Sequence, residues 1–172
     1  MFTPTVASYA GKIETAKEEV RKNPDDADAH YNLGVTYYKL GKYQEAIKSY
    51  KHAIEIDPDY TRAHNSLGYA YGELGRYEEA IESLKQAIRI DPDDALAHNN
   101  LGNVYYRSSK FKEAIDSFKE AVRIDPDDAN AHFYLGCVYK LLNDKGSVLE
   151  QYKILKKLDT EQANELFNLI YK

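Results

Sequence analysis

Residues 63–92 read AHNSLGYAYGELGRYEEAIESLKQAIRIDP, and their periodicity decides the fold. Leu67, Ala70, Tyr71 and Leu74 recur at three- and four-residue steps, which lays one apolar stripe along a helix. Gly75 then ends that helix, because glycine accepts a left-handed backbone angle without steric cost. A second stripe follows in Tyr77, Ala80, Ile81, Leu84, Ala87, Ile88 and Ile90. Asp91-Pro92-Asp93-Asp94 stops it. Proline cannot continue a helix, and the aspartates suit the start of the next one.

The same hairpin recurs outward in both directions. Pro24, Pro58, Pro92 and Pro126 lie 34 residues apart. The interval is kept by Gly34, Gly68, Gly102 and Gly136, and by Leu33, Leu67, Leu101 and Leu135. His30, His64, His98 and His132 keep it too, as do Tyr37, Tyr71, Tyr105 and Tyr139. Gly34, Gly68 and Gly102 have small counterparts twelve residues later in Ala46, Ala80 and Ala114. Facing small residues are expected to bring the paired backbones close, with Tyr50, Leu84 and Phe118 filling the space beside them. One hairpin cannot bury its own apolar face, whereas stacked hairpins can.

The ends depart from this pattern. Tyr9 to Lys22 reads as a helix with Ile13, Ala16 and Val20 on one face, and Asn23-Pro24-Asp25-Asp26 copies the stop between units. In the fourth unit Val148 and Leu155 replace alanines, and Lys145 stands where Tyr43, Tyr77 and Phe111 stood. A last helix, Glu161 to Tyr171, is expected to turn Ala163, Leu166, Phe167 and Ile170 inward. The count is ten helices: one, four pairs, one.

The order Leu-Gly-x-x-Tyr, then alanine, a large residue, alanine and proline, resembles the tetratricopeptide repeat. In the second unit these places hold Leu67, Gly68, Tyr71, Ala80, Leu84, Ala87 and Pro92. The resemblance extends from Ala27 to about Asp159. It implies an all-α fold, a right-handed superhelical solenoid of antiparallel helix pairs. Residues 1–24 would cover the first repeat, and the repeats would span 25–58, 59–92, 93–126 and 127–159, the last with a divergent second helix. Residues 160–172 would form a C-terminal capping helix. One departure is consistent: histidine occupies a place usually aromatic or bulky and apolar, so each imidazole is expected to fill that half-buried space.

Composition bounds the chemistry. The chain has 172 residues, 43% of them hydrophobic, enough for one folded unit. Its net charge is −5 and it has no basic run, which argues against nucleic acid. Cys137 is the lone cysteine, so no internal disulfide or cysteine-built zinc site is available. No apolar run approaches the roughly 18 residues that span a bilayer. Met1 to Thr5 lacks the start of a signal peptide, and a cytoplasmic location is expected. Equivalent histidines on successive units stand a helix-packing distance apart, roughly 8–10 Å, too far to share a metal. The loop aspartates do not form an EF-hand, since the sixth and twelfth places from Asp91 hold Leu96 and Gly102. There is no phosphate-binding glycine loop, and no cofactor, metal or catalytic residue is assigned. The chain is read as a non-enzyme.

The resemblance implies a site in a concave groove lined by the first helix of each pair. Carried over by position, the groove would include Asn32, Tyr38, Arg62, Asn65, Tyr69, Asn99, Asn100, Asn103, Tyr106, Arg107 and Asn130. Asparagine both donates and accepts, so it pairs with peptide groups whatever the ligand's sequence. Tyrosines add rigid amphipathic surface. Lys39, Arg62, Arg107 and Lys140 against Asp28 and Glu73 make the lining net positive, which favours a mildly acidic or carboxylate-ended ligand. The family's carboxylate clamp is not reproduced: Asn99 and Asn103 fit, but Tyr134 stands where asparagine is needed. The expected function is a scaffold or adaptor binding a peptide segment of a protein partner, as a monomer. The alternatives are an assembly protein that self-associates through its solenoid surface, and a targeting domain cut from a larger protein.

Overall fold

The computed structural model describes residues 6–171, with side chains described between 11 and 169. The readings of Met1 to Thr5 and of the Ile170 side chain lie outside the described residues. Among the described residues there are ten helices and no strand. They are α1 (Val6–Lys22), α2 (Ala27–Tyr38), α3 (Tyr43–Ile56), α4 (Thr61–Glu73) and α5 (Tyr77–Ile90). Then follow α6 (Ala95–Arg107), α7 (Phe111–Ile124), α8 (Ala129–Leu141), α9 (Lys145–Leu158) and α10 (Thr160–Tyr171). The chain divides into two compact units, Met1–Ile90 and Asp91–Lys172.

In the first unit α2 pairs with α3 and α4 with α5, while α1 packs on α2 and α3 on α4. In the second, α6 pairs with α7 and α8 with α9, α7 packs on α8, and α10 rests on both α8 and α9. Turns of about four residues fold each pair back on itself. Gly41 and Gly75 make two of these turns at φ 70° and 71°, and Ser109 and Asn143 make the other two at 60° and 59°.

The Asp-Pro-Asp junctions work as local chemistry requires. Asp57, Asp91 and Asp125 each accept the amide of the residue two places on, at 3.1–3.2 Å. Asp26, Asp94 and Asp128 then cap α2, α6 and α8 through side-chain bonds to Asp28, Ala97 and Ala131 amides. Tyr60 occupies that place before α4 and makes no such cap.

The histidines do more than fill space. Nε2 of each lies against the carbonyl of the proline six residues upstream: His30 with Pro24 at 2.9 Å and His64 with Pro58 at 2.9 Å. His98 reaches Pro92 and His132 reaches Pro126, both at 3.0 Å. A carbonyl only accepts, so each ring donates Nε2–H and ties the junction to the helix it precedes.

The pairing of glycine with alanine needs correction. A Cβ on Gly34 would meet the Tyr50 ring at 2.5 Å, and one on Gly102 the Phe118 ring at 2.7 Å. At Gly68 it would meet Leu84 Cγ at 2.5 Å and the Ala80 carbonyl at 3.0 Å. The glycine is thus a notch for the large side chain sixteen residues on, and the alanine lies beside it. In the fourth pair Val148, Gln151 and Leu155 are buried where the third has Ala114, Ser117 and Ala121. These larger groups occupy the interface, Tyr152 turns to the Phe167 ring at 5.6 Å, and the Gly136 notch is filled by Leu166 from α10. Ala163 and Leu166 are fully buried, but Phe167, expected inward, is 42% exposed.

Candidate functional site

Each unit presents its own face of first helices. In the first unit α2 and α4 bring Tyr38 against Tyr69, with ring centroids 5.4 Å apart. Burial, with the neighbouring Tyr69 and Glu73, pushes the Tyr38 phenol far above its ordinary value. Tyr69 keeps 38% of its surface exposed, and Asn32 of α2 is exposed. Asn65 is not: it is 5% exposed, and its amide belongs to the packed interior of the unit.

Arg62 is also committed. Its Nη2 lies 3.4 Å from Asp28 Oδ1 and donates to the Tyr60 hydroxyl at 3.0 Å. Its guanidinium sits 5.3 Å from the Tyr31 ring and 5.2 Å from the Tyr60 ring, and Tyr60 donates to Asp28. Arg62 therefore ties α4 to α2 through charge and ring contacts. Tyr60 is not among the groove places carried over by position, because it stands just before α4, where Asp26, Asp94 and Asp128 cap the other first helices.

In the second unit Asn99, Asn100, Asn103 and Tyr106 are half-buried on α6, and Arg107 is exposed. Asn99 Nδ2 donates to Asp128 Oδ2 at 2.9 Å, and Asn130 Oδ1 accepts from Gln162 Nε2 at 2.7 Å. These two amides tie each first helix to its successor. Tyr106 packs near Tyr134 at 6.2 Å and, with Phe133, against the cluster that holds Cys137. Burial, with Cys137 and Tyr134 beside it, raises the Tyr106 phenol. Burial, followed by the Glu165 carboxylate, pushes the Cys137 thiol up to about 11, so it is no thiolate nucleophile at neutral pH. Leu96, at the start of α6, is 60% exposed.

Glu165 itself was missed. Positional transfer stopped at the fourth unit, yet α10 sits beside α8 and sets an acid within reach of Cys137. Among the described residues, no group of three His, Cys, Asp or Glu side chains is placed to hold a metal ion. Among the same residues no helix is long and apolar enough to cross a membrane.

Helix hairpins repeating every 34 residues around glycine notches define an all-helical repeat protein. A tetratricopeptide repeat profile matches residues 36–75, 71–109 and 102–143, and a second matches 10–48. The chain belongs to the tetratricopeptide repeat family, and its fold is that of a protein-interaction scaffold. Its structure is similar to MamA from Desulfovibrio magneticus RS-1, with TM-score 0.80 and 24% identity over 90% of this chain and 88% of that one. It is similar to TTC0263, a thermophilic TPR protein of Thermus thermophilus, with TM-score 0.78 and 25% identity over 97% and 93%. YrrB, a TPR protein with an unusual peptide-binding site, aligns with TM-score 0.75 and 19% identity over 95% and 85%. No curated protein is significantly similar to the chain in sequence.

Proposed function

We propose that the chain is a non-enzymatic scaffold with repeats at 25–58, 59–92, 93–126 and 127–159, and that it holds a peptide segment of a partner protein against a face of first helices. The observation that carries this reading is on α6. Leu96 is left 60% exposed at the start of a helix on which half-buried Asn103 stands one turn before Tyr106. An exposed leucine on the helix that carries this amide and ring offers an apolar contact together with a group that both donates and accepts. An extended peptide presents the matching pattern of side chain, N–H and C=O. The likeness to YrrB, a peptide-binding relative in fold, agrees with it.

Charge is a secondary factor in this reading. Arg62 answers Asp28, and Glu165 and Lys140 act on Cys137 with opposite sign. A mildly acidic or carboxylate-ended peptide is favoured by the exposed Arg107 and Lys140 of the second unit. A displayed library of random peptides tests the proposal. Peptides selected on the wild-type chain should lose most of their affinity, measured by fluorescence anisotropy, for Leu96→Asp with Asn103→Ala. Peptides that bind the variant as tightly as wild type would place the site elsewhere.

A further inference from the structure

Most junctions that lead into a first helix share one device. Asn23-Pro24, Asp57-Pro58, Asp91-Pro92 and Asp125-Pro126 each put a proline where the preceding helix would otherwise run on. The junction between α9 and α10 has none. It reads Lys156-Lys157-Leu158-Asp159-Thr160-Glu161, and one residue, Asp159, separates the two helices.

The helical ladder is nearly continuous there. The Asp159 amide donates to Leu155 at 2.7 Å, and the Ala163 amide donates to Asp159 at 3.0 Å. What interrupts it is the extended backbone of Asp159, φ −147° and ψ 102°. Its carboxylate takes the amides of Glu161 and Gln162 at 2.9 and 3.0 Å, in place of the carbonyls of Lys157 and Leu158. Rotation of this one residue into the helical region would join 145–171 into a single helix. Lys157 and Glu161 would then stand four residues apart on one face, a favourable pair.

Such a rotation lifts α10 out of a shaped seat. Leu166, fully buried, leaves the Gly136 notch, and Gln162 leaves Asn130. Gln151 and Leu155 of α9 have the same spacing, but both are buried in their own pair with α8, so α9 does not replace α10 in that seat. The α10 of a second copy fills it contact for contact. We infer that α10 is an exchangeable element, and that two copies of this chain can each seat the other's α10 in a domain-swapped dimer. The folded-back form prevails at low protein concentration, because there the seat is filled from within the chain. The Asp159 cap supports it further. This inference is independent of the peptide reading.

Two substitutions at the hinge move the equilibrium in opposite directions. Asp159→Ala removes the cap and favours the continuous helix. Thr160→Pro fits the first position of α10, follows an extended residue as proline prefers, and bars the continuous helix. It also recreates the Asp-Pro of the other junctions. The full chain is refolded from urea at high protein concentration, and its mass is read by light scattering after size exclusion. The dimer fraction should rise several-fold in Asp159→Ala and vanish in Thr160→Pro, with helicity by circular dichroism preserved. Asp159→Asn, which keeps a capping side chain, should dimerise as wild type does, and this comparison stands should the proline variant fold poorly. A dimer undiminished in a folded Thr160→Pro would overturn the inference, as would the absence of any dimer in both wild type and Asp159→Ala.

Discussion

His132 closes on two partners at once: Nε2 meets the Pro126 carbonyl at 3.0 Å, and Nδ1 meets the Gln151 side-chain amide at 2.7 Å. One ring thus joins the junction before α8 to the helix behind it. His98 makes only the proline contact of the two and is half-buried. Phenylalanine fills similar space but makes neither bond, and it leaves buried Gln151 without its partner. His132→Phe should therefore cost about 1–3 kcal/mol and His98→Phe about 1 kcal/mol or less. Urea unfolding of the two variants checks the order, and equal losses would mean that the rings act as fillers alone.

The glycine notch makes a second prediction. A methyl on Gly102 would lie 2.7 Å from two ring carbons of fully buried Phe118. Gly102→Ala should destabilise by about 1–3 kcal/mol through overpacking, although alanine is the better helix former. Phe118→Ala alone should cost about 3–5 kcal/mol. In the double variant the new methyl enters the space left by the ring, so the combined loss should fall short of the sum of the two. Additive losses in thermal or urea unfolding would mean that the two sites do not share the notch.

Turn residues offer a gain in stability. Gly41 and Gly75 hold positive φ where Ser109 and Asn143 do the same with side chains. Serine is strained there, while asparagine tolerates the left-handed region. Ser109→Gly should stabilise by about 0.5–1 kcal/mol, the strain relieved exceeding the entropy glycine adds to the unfolded chain. Asn143→Gly should be nearly neutral. A lower Tm for Ser109→Gly than for wild type would contradict this.

Helix periods, turns and caps were legible in the sequence because they obey local rules repeated every 34 residues. What fills the glycine notch was not, because it depends on how two helices cross. Ala114 twelve residues on looked like the partner of Gly102, and Phe118 sixteen residues on is the residue seated there. The histidine clasp was readable in principle, since the histidine and proline columns stand six residues apart in every unit. On the candidate faces, position alone placed Asn65 in the open, yet it is buried. Position also ended with the fourth unit, because the one-residue junction at Asp159 shifts α10 out of the 34-residue register, and Glu165 went unread.

Cys137 sets an alkaline limit. Burial raises its pKa to about 11, above the roughly 8.5 of an exposed thiol. Above the lower value the unfolded chain has lost a proton that the folded chain still holds, so stability falls as pH rises. The contribution is intact below pH of about 8.5 and is lost progressively up to about 11, with a span of roughly 3 kcal/mol. Tyrosines raised by burial, Tyr38 and Tyr50 among them, act in the same direction at higher pH. Cys137→Ala should therefore lose less stability than wild type between pH 8.5 and 11. Parallel pH curves for the two proteins in urea unfolding would remove the thiol from this account.

The asparagines of the candidate faces divide by burial, and binding should divide with them. Asn65→Ala removes an amide that is 5% exposed, so its main effect should be a loss of stability of about 1–3 kcal/mol as buried groups lose a partner. Asn99→Ala breaks the bond to Asp128 between α6 and the start of α8, and should lower stability as well as affinity. Asn103 is half-buried on α6 beside the exposed face that carries Leu96. Asn103→Ala should leave Tm within a degree or two while weakening a selected peptide by about 1–3 kcal/mol, because ligand backbone groups lose their amide. Arg107→Ala should mainly slow association and flatten its dependence on salt, since an exposed charge steers rather than holds. Stopped-flow fluorescence at two salt concentrations separates the two effects. Should Asn103→Ala bind as tightly as wild type while Asn65→Ala, still folded, abolishes binding, the amides of α6 are not the ligand's partners and recognition belongs to the α2–α4 face.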